Sequence, residues 1–92
     1  LIPAGAAAGL QADLSWSLNL ETDLAGYRVY RSETKESRGK LMTPSLLPAP
    51  AFRDICVEAG HRYWYTVTAV DRAGNESLPS SPASVDVTQS TP

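Results

Sequence analysis

The sequence predicts an all-β domain, a sandwich or barrel of short antiparallel strands. Three observations carry that expectation. From Leu10 to Asn19 apolar and polar residues alternate without a break, and only a strand places alternate side chains on opposite faces. Turn formers punctuate the chain about every ten positions, the spacing of many short strands. No stretch repeats its apolar residues near the ~3.6-residue period of an amphipathic helix.

Each element has its own pattern. In the first clear strand Leu10, Ala12, Leu14, Trp16 and Leu18 share one face, and Gln11, Asp13, Ser15, Ser17 and Asn19 the other. After Gly26, a strand starts with Tyr27, Val29 and the stem of Arg31. Lys40 to Thr43 suit a short strand, and Phe52 sits in another from Ala51 to Ile55. The run from Ala59 to Ser77 is the most informative. A glycine turn leads into it, Tyr63, Tyr65, Val67 and Ala69 fall on one face, and Arg62, Thr66 and Thr68 fall on the other. It leaves through Asp71-Arg72-Ala73-Gly74-Asn75, a loop of turn-forming residues. Ala83, Val85 and Val87 make a final strand after Pro82.

Four pieces in one order carry a resemblance. They are Leu14-x-Trp16, then Asp23-Leu24-Ala25-Gly26-Tyr27-x-Val29-Tyr30-Arg31, then Phe52-x-Asp54, then Gly60-x-x-Tyr63-x-Tyr65-x-Val67-x-Ala69-Val70-Asp71-x-x-Gly74-Asn75-Glu76-Ser77. Together they resemble a fibronectin type III domain of the bacterial style, over roughly the start of the chain to Val87. The resemblance implies a seven-stranded antiparallel Greek-key β-sandwich, immunoglobulin-like, with three strands in one sheet and four in the other. It makes Trp16 the core tryptophan of the second strand. It makes Tyr63 the tyrosine of the turn into the sixth strand, its hydroxyl reaching nearby backbone. Residues 1–88 form the domain, and 89–92 read as the start of a polar linker. The segment Gly5-Ala6-Ala7-Ala8-Gly9 is poor in strand formers, so the first strand is expected to be short or truncated, in a piece of a longer protein. The integrin-binding tripeptide of some animal members is absent from the 71–75 loop.

Composition bounds the function. Ninety-two residues with 42% apolar content, two Trp and four Tyr suffice for one core. A net charge of −2 gives no reason to expect nucleic acid or an anionic membrane as partner. No apolar run approaches the ~20 residues that span a bilayer. Among the central basic residues Arg28, Arg31, Lys35, Arg38 and Lys40, Glu33 and Glu36 intervene. A solvated strand edge that discourages aggregation explains them better than a patch for an acidic partner.

Nothing in the chain marks an enzyme, a metal site or a cofactor. Cys56 is the sole cysteine and reads as a small, partly buried residue before the sixth strand. A catalytic thiol needs a base beside it. His61, the sole histidine, reads as an exposed turn residue. Ser15 and Ser17 lie on a strand's polar face, away from any nucleophile turn. Asp71, Asn75 and Glu76 lack the alternating oxygen ligands of a calcium loop and suit a turn instead.

One feature points to recognition. Trp64 is out of phase with Tyr63 and Tyr65, and Tyr30 with Tyr27 and Val29, so both face outward. The resemblance lays their strands side by side and brings Tyr30 close to Trp64. Arg28 and Arg62 share the outward phase. Tyr30, Trp64, Arg28 and Arg62 are therefore the candidate binding surface, for a neighbouring domain, another protein or a sugar ring. A cross-strand aromatic pair is the structural alternative, as is an arginine stacked on Trp64. The expected function is a non-catalytic module of a larger exported protein, extracytoplasmic by resemblance, that spaces or docks domains. The alternatives are a carbohydrate-binding module of a glycan-active enzyme, or an accessory domain that completes an attached enzyme's site.

Overall fold

The computed structural model describes residues 3–7, 11–17, 24–35 and 39–87. Seven strands succeed one another: β1 (Ala4–Ala7), β2 (Ala12–Ser15), β3 (Leu24–Ser32), β4 (Lys40–Leu41), β5 (Ala51–Asp54), β6 (His61–Asp71) and β7 (Ala83–Val87). Every pairing is antiparallel, in a three-stranded sheet of order β1-β2-β5 and a four-stranded sheet of order β4-β3-β6-β7. The chain changes sheets between β2 and β3, β4 and β5, and β5 and β6. That is the Greek-key sandwich expected from the sequence.

The alternation fills the space between the sheets. Leu14 and Trp16 from one sheet meet Tyr27, Val29, Tyr63, Tyr65, Val67, Val85 and Val87 from the other, all buried. Leu47 and Phe52 pack against this core from partly buried positions. The Trp16 and Tyr27 rings meet edge to face, centroids 5.4 Å apart, an arrangement aromatic rings favour.

β1 is four residues long, as its alanines and glycine lead one to expect. Gly5 sits where a Cβ would lie 2.5 Å from Val85 Cγ2 and 2.8 Å from Leu14 Cδ2. A side chain there would push β1 off the sandwich. β2 is shorter than the alternation from Leu10 to Asn19, of which Leu10, Leu18 and Asn19 lie outside the described residues, as does the linker at 89–92. Trp16 keeps its inward phase beyond the strand because its N–H bonds the Pro50 carbonyl at 3.0 Å.

The open edge of β3 is sealed by coil. β4 covers only Tyr30 and Arg31. Beyond it, Met42 N–H bonds the Val29 carbonyl, Val29 N–H bonds Thr43 Oγ1, and Tyr27 and Leu47 exchange two backbone bonds. This segment carries Pro44, Pro48 and Pro50, which cannot extend a sheet. Of the basic residues read as a solvated edge, Lys35 and Lys40 are exposed, whereas Arg28 and Arg31 form ion pairs. Arg38 lies outside the described residues.

The register also fixes where the chain comes in and goes out. Ala4 pairs with Ser15, and Ser15 with Ala51, at one end of the three-stranded sheet. Val87 pairs with His61 at the start of β6. Across the sandwich Gly5 of β1 lies against Val85 of β7, which pairs with Tyr63 in the first half of β6.

Two expectations need correction. Cys56 is exposed, not partly buried. Asp54 accepts the Cys56 N–H at 3.0 Å, and the turn so formed sends Val57 inward in its place. Thr68, expected on a solvated face, is fully buried, as is Val70. The stretch after β6 folds back beside them: Ser77 N–H bonds the Ala69 carbonyl, and Ser80 N–H bonds the Val67 carbonyl. The Ser77 and Ser80 hydroxyls in turn accept the N–H groups of Ala69 and Val67. Side-chain oxygens thus replace strand carbonyls where Pro79 and Pro82 interrupt the ladder.

Candidate functional site

The outer face of the four-stranded sheet is built in rungs. Arg28 stands opposite Thr68, Tyr30 opposite Thr66, and Ser32 opposite Trp64. On the other side of β6, Ser84 stands opposite Trp64 and Asp86 opposite Arg62. All four candidate residues therefore share this face. Tyr30 and Trp64 are diagonal neighbours, one rung out of line, rather than a directly opposed pair. The register shift between Leu24 and Gly26 leaves the rest of the β3–β6 ladder in regular alternation.

The face divides into two halves. Towards the Asp71 end of β6 it is closed by Glu76, which lies just past the 71–75 loop and bridges to Val70. Its Oε2 accepts Tyr30 Oη at 2.5 Å and Thr68 Oγ1 at 2.6 Å, and its Oε1 accepts Arg28 Nη1 at 3.3 Å. Tyr30 is only 8% exposed. Its ring is part of a covered polar cluster, and Arg28 is tied to the same carboxylate.

Towards the His61 end of β6 the face is open. Trp64 is half-buried, and Arg62 and Asp86 are exposed. The Arg62 guanidinium binds the Asp86 carboxylate through both Nε and Nη2. That bond holds the Asp86 carboxyl below its ordinary range and raises Arg62. Arg62 Cζ lies 6.0 Å from the Trp64 ring centroid, the outer limit of a cation–π contact.

A second polar cluster lies between the sheets, and sequence reasoning gave it no role. Asp54, buried, accepts Tyr65 Oη and Arg31 Nη1, each at 2.8 Å. Arg31 also donates to the Cys56 carbonyl, and its guanidinium covers the Tyr63 ring at 5.0 Å. Burial, then the bond to Asp54, drives the Tyr65 phenol far above its ordinary pKa. Burial would lower Arg31, but the bond to Asp54 and its charge leave it raised. The Tyr63 hydroxyl accepts the Glu58 N–H at 3.0 Å, the backbone tie expected of that tyrosine. The signal for the cluster was available: Arg31 is in phase with Tyr27 and Val29, and Asp54 with Phe52. Charged residues on a buried face demand partners.

The other polar residues serve turns. The Asp71 carboxylate accepts the N–H groups of Ala73 and Asn75 and the Asn75 side-chain amide. The bonds from Asn75, chiefly, hold its carboxyl below the usual range. Glu76 faces the sheet instead. His61 opens β6, exposed, with Nδ1 3.0 Å from Glu33 Oε1. Among the described residues no helix is long and apolar enough to cross a membrane.

No protein-family model matches the chain. It is 38% identical over 96 residues to exoglucanase B of Cellulomonas fimi, an alignment covering 99% of this chain and 8% of that protein. The chain thus spans about a twelfth of the curated relative it matches. A solved Fn3-like protein from Clostridium thermocellum superposes with a TM-score of 0.79 at 24% identity, over 99% of this chain and 96% of that one. A pectate lyase from Pectobacterium carotovorum superposes at TM-score 0.77 and 24% identity, over 90% of this chain and 26% of that one. A beta-1,2-glucanase from Parabacteroides distasonis reaches 0.72 at 26% identity, over 99% of this chain and 12% of that one.

Proposed function

We propose that this chain, a domain of fibronectin type III fold, is a non-catalytic spacer and docking module of a larger, exported, glycan-active protein. The observation that carries the reading is the fixing of both terminal strands to one braced sandwich. β1 and β7 lie in different sheets, and Gly5 of β1 packs against Val85 of β7, so domains joined to the two ends would be held at a set distance. A flexible chain would let that distance fluctuate. Here the Asp54 cluster ties β5 to β3 and β6 across the two sheets, and the sandwich transmits position as one body.

The likenesses support the setting. A short segment of an exoglucanase resembles this chain in sequence, and parts of a pectate lyase and a beta-1,2-glucanase share its form. Such substrates are large and lie outside the cell, which supports an extracytoplasmic location. Among the described residues the two most enclosed carboxylates are committed to structure: Asp54 is held by Arg31 and Tyr65 in the interior, and Glu76 by Tyr30, Thr68 and Arg28.

Two measurements test the proposal. Reporter domains fused to the two ends and examined by small-angle scattering should show a fixed separation that disappears only on unfolding. A broad distribution of separations in the folded state would refute the spacer role. The purified chain incubated with β-glucan or pectate should release no reducing ends. Release that is lost on unfolding the chain would refute the non-catalytic assignment.

A further inference from the structure

The open half of the outer sheet face has the chemistry of a saccharide platform. We propose that Trp64, Ser84, Arg62 and Asp86 form a binding site for a neutral polysaccharide chain, with a pyranose ring stacked on the indole. The proposal does not depend on the spacer role.

Three observations converge on it. The first is shape. Trp64 is flanked on both ladders by serines, Ser32 on β3 and Ser84 on β7. No bulky side chain stands opposite the indole in its own rung, and Trp64 is half-buried. A flat aromatic platform on a sheet suits an extended polymer rather than a small ligand, which needs a concave pocket.

The second is the arrangement of polar groups. A pyranose ring presents an apolar C–H face and a rim of hydroxyls that both donate and accept. Trp64 matches the apolar face, since aromatic rings combine large apolar area with fixed geometry. Arg62 and Asp86 lie one outward rung away, roughly 7 Å along the strand, about the reach of the hydroxyls of a stacked ring. Their side chains are 58% and 57% exposed. The guanidinium donates, the carboxylate accepts, and the Ser84 hydroxyl does both. Polar groups so placed fix the orientation of a ligand held by an apolar surface.

The third is charge. Arg62 and Asp86 neutralise each other through a two-point bond. The platform has no net charge to attract a polyuronate, so the ligand class is neutral. The contrast with Tyr30 sharpens the assignment. The other outward tyrosine is buried and bound to Glu76, so the platform rests on Trp64 and excludes Tyr30. The Arg62 guanidinium lies over the indole at the outer limit of cation–π distance, so a stacking sugar ring meets it directly.

The experiment uses the 92-residue chain, isotopically labelled and titrated with cellohexaose, xylohexaose and mannohexaose, with hexagalacturonate as the acidic contrast. The expected result is saturable shifts of the Trp64 indole and Arg62 Nε resonances by at least one neutral probe, with Kd at or below about 1 mM. Hexagalacturonate should bind more weakly. Trp64→Ala should weaken binding about 30-fold or more, the loss of a hot-spot side chain. Trp64→Phe should retain most of it, and Asp86→Ala, which leaves the core untouched, should weaken it about tenfold. Tyr30→Phe should leave binding unchanged. Absence of saturable shifts with all three neutral probes overturns the proposal. So does full affinity in both Trp64→Ala and Asp86→Ala. Tighter binding of hexagalacturonate overturns the neutral class.

Discussion

Replacing Asp54 with asparagine should test how the two sheets are held together. The carboxylate receives Tyr65 Oη, Arg31 Nη1 and the Cys56 N–H within 3.0 Å. Asparagine keeps the size and one acceptor oxygen but removes the charge. Arg31 is then left without its ionic partner in a site where its side chain is 19% exposed and that of Asp54 only 2%. Breaking a fully buried pair from one side costs about 3–5 kcal/mol. Here Arg31 retains the Cys56 carbonyl and some water, which reduces the loss to about 2–4 kcal/mol. That is a large fraction of the roughly 5–15 kcal/mol available to a domain. A loss of about 3 kcal/mol lowers Tm by roughly 12–24 °C for a domain of this size. The assay is urea unfolding followed by tryptophan fluorescence, with the midpoint falling and the slope unchanged. A loss below about 1 kcal/mol would refute the reasoning, because Asp54 would then behave as a solvent-screened surface carboxylate. Tyr65→Phe alone should cost about 1–2 kcal/mol. The double variant should lose less than the sum, since both remove the same bond.

Other substitutions probe the same geometry. Trp16→Ala should cost about 3–5 kcal/mol in the same urea assay, since the indole is 6% exposed and fills the centre of the sandwich. Tyr63→Phe should cost about 1 kcal/mol by leaving the Glu58 N–H without its acceptor; an unchanged midpoint would contradict that bond. Glu76→Gln should speed amide hydrogen exchange at Ala69, Ser77 and Ser80 before global stability changes appreciably, because the carboxylate latches this segment to Tyr30 and Thr68. In acid, stability should fall as pH drops below about 4. The carboxyls of Asp71 and Asp86 are held below their ordinary range in the fold, so the unfolded chain takes up protons first. Their contribution is present above the unfolded value and is lost as pH falls through the folded one. Asp71→Asn should flatten that part of the pH profile.

Strands and core are legible in the chain itself. The period-2 alternation in residues 11–17, 27–31 and 61–69 leaves one solution for which side chains face inward, because a shift by one residue would put tyrosines and valines in water. Trp16, Tyr27, Val29, Tyr65, Val67 and Val85 are buried together for that reason, and the short β1 reflects its alanine and glycine content. Strand parity also placed Trp64, Arg62, Arg28 and Tyr30 on one outer face. What parity cannot contain is what comes to lie on top of that face. Thr68, Val70 and Tyr30 are buried because the chain returns after Asp71 and lays Glu76 over them, a contact between residues up to 46 positions apart. The Asp54–Arg31–Tyr65 cluster had a local signal, two charges in a buried phase. Their pairing required β5 of one sheet to meet β3 and β6 of the other, which no local pattern specifies. Cys56 turned outward for a similar reason: a turn formed by its neighbour's buried carboxylate outweighed its own preference for the interior. Alternation is a property of one strand, whereas the closing of one half of the face and the opening of the other depend on the order in which strands and loops are stacked.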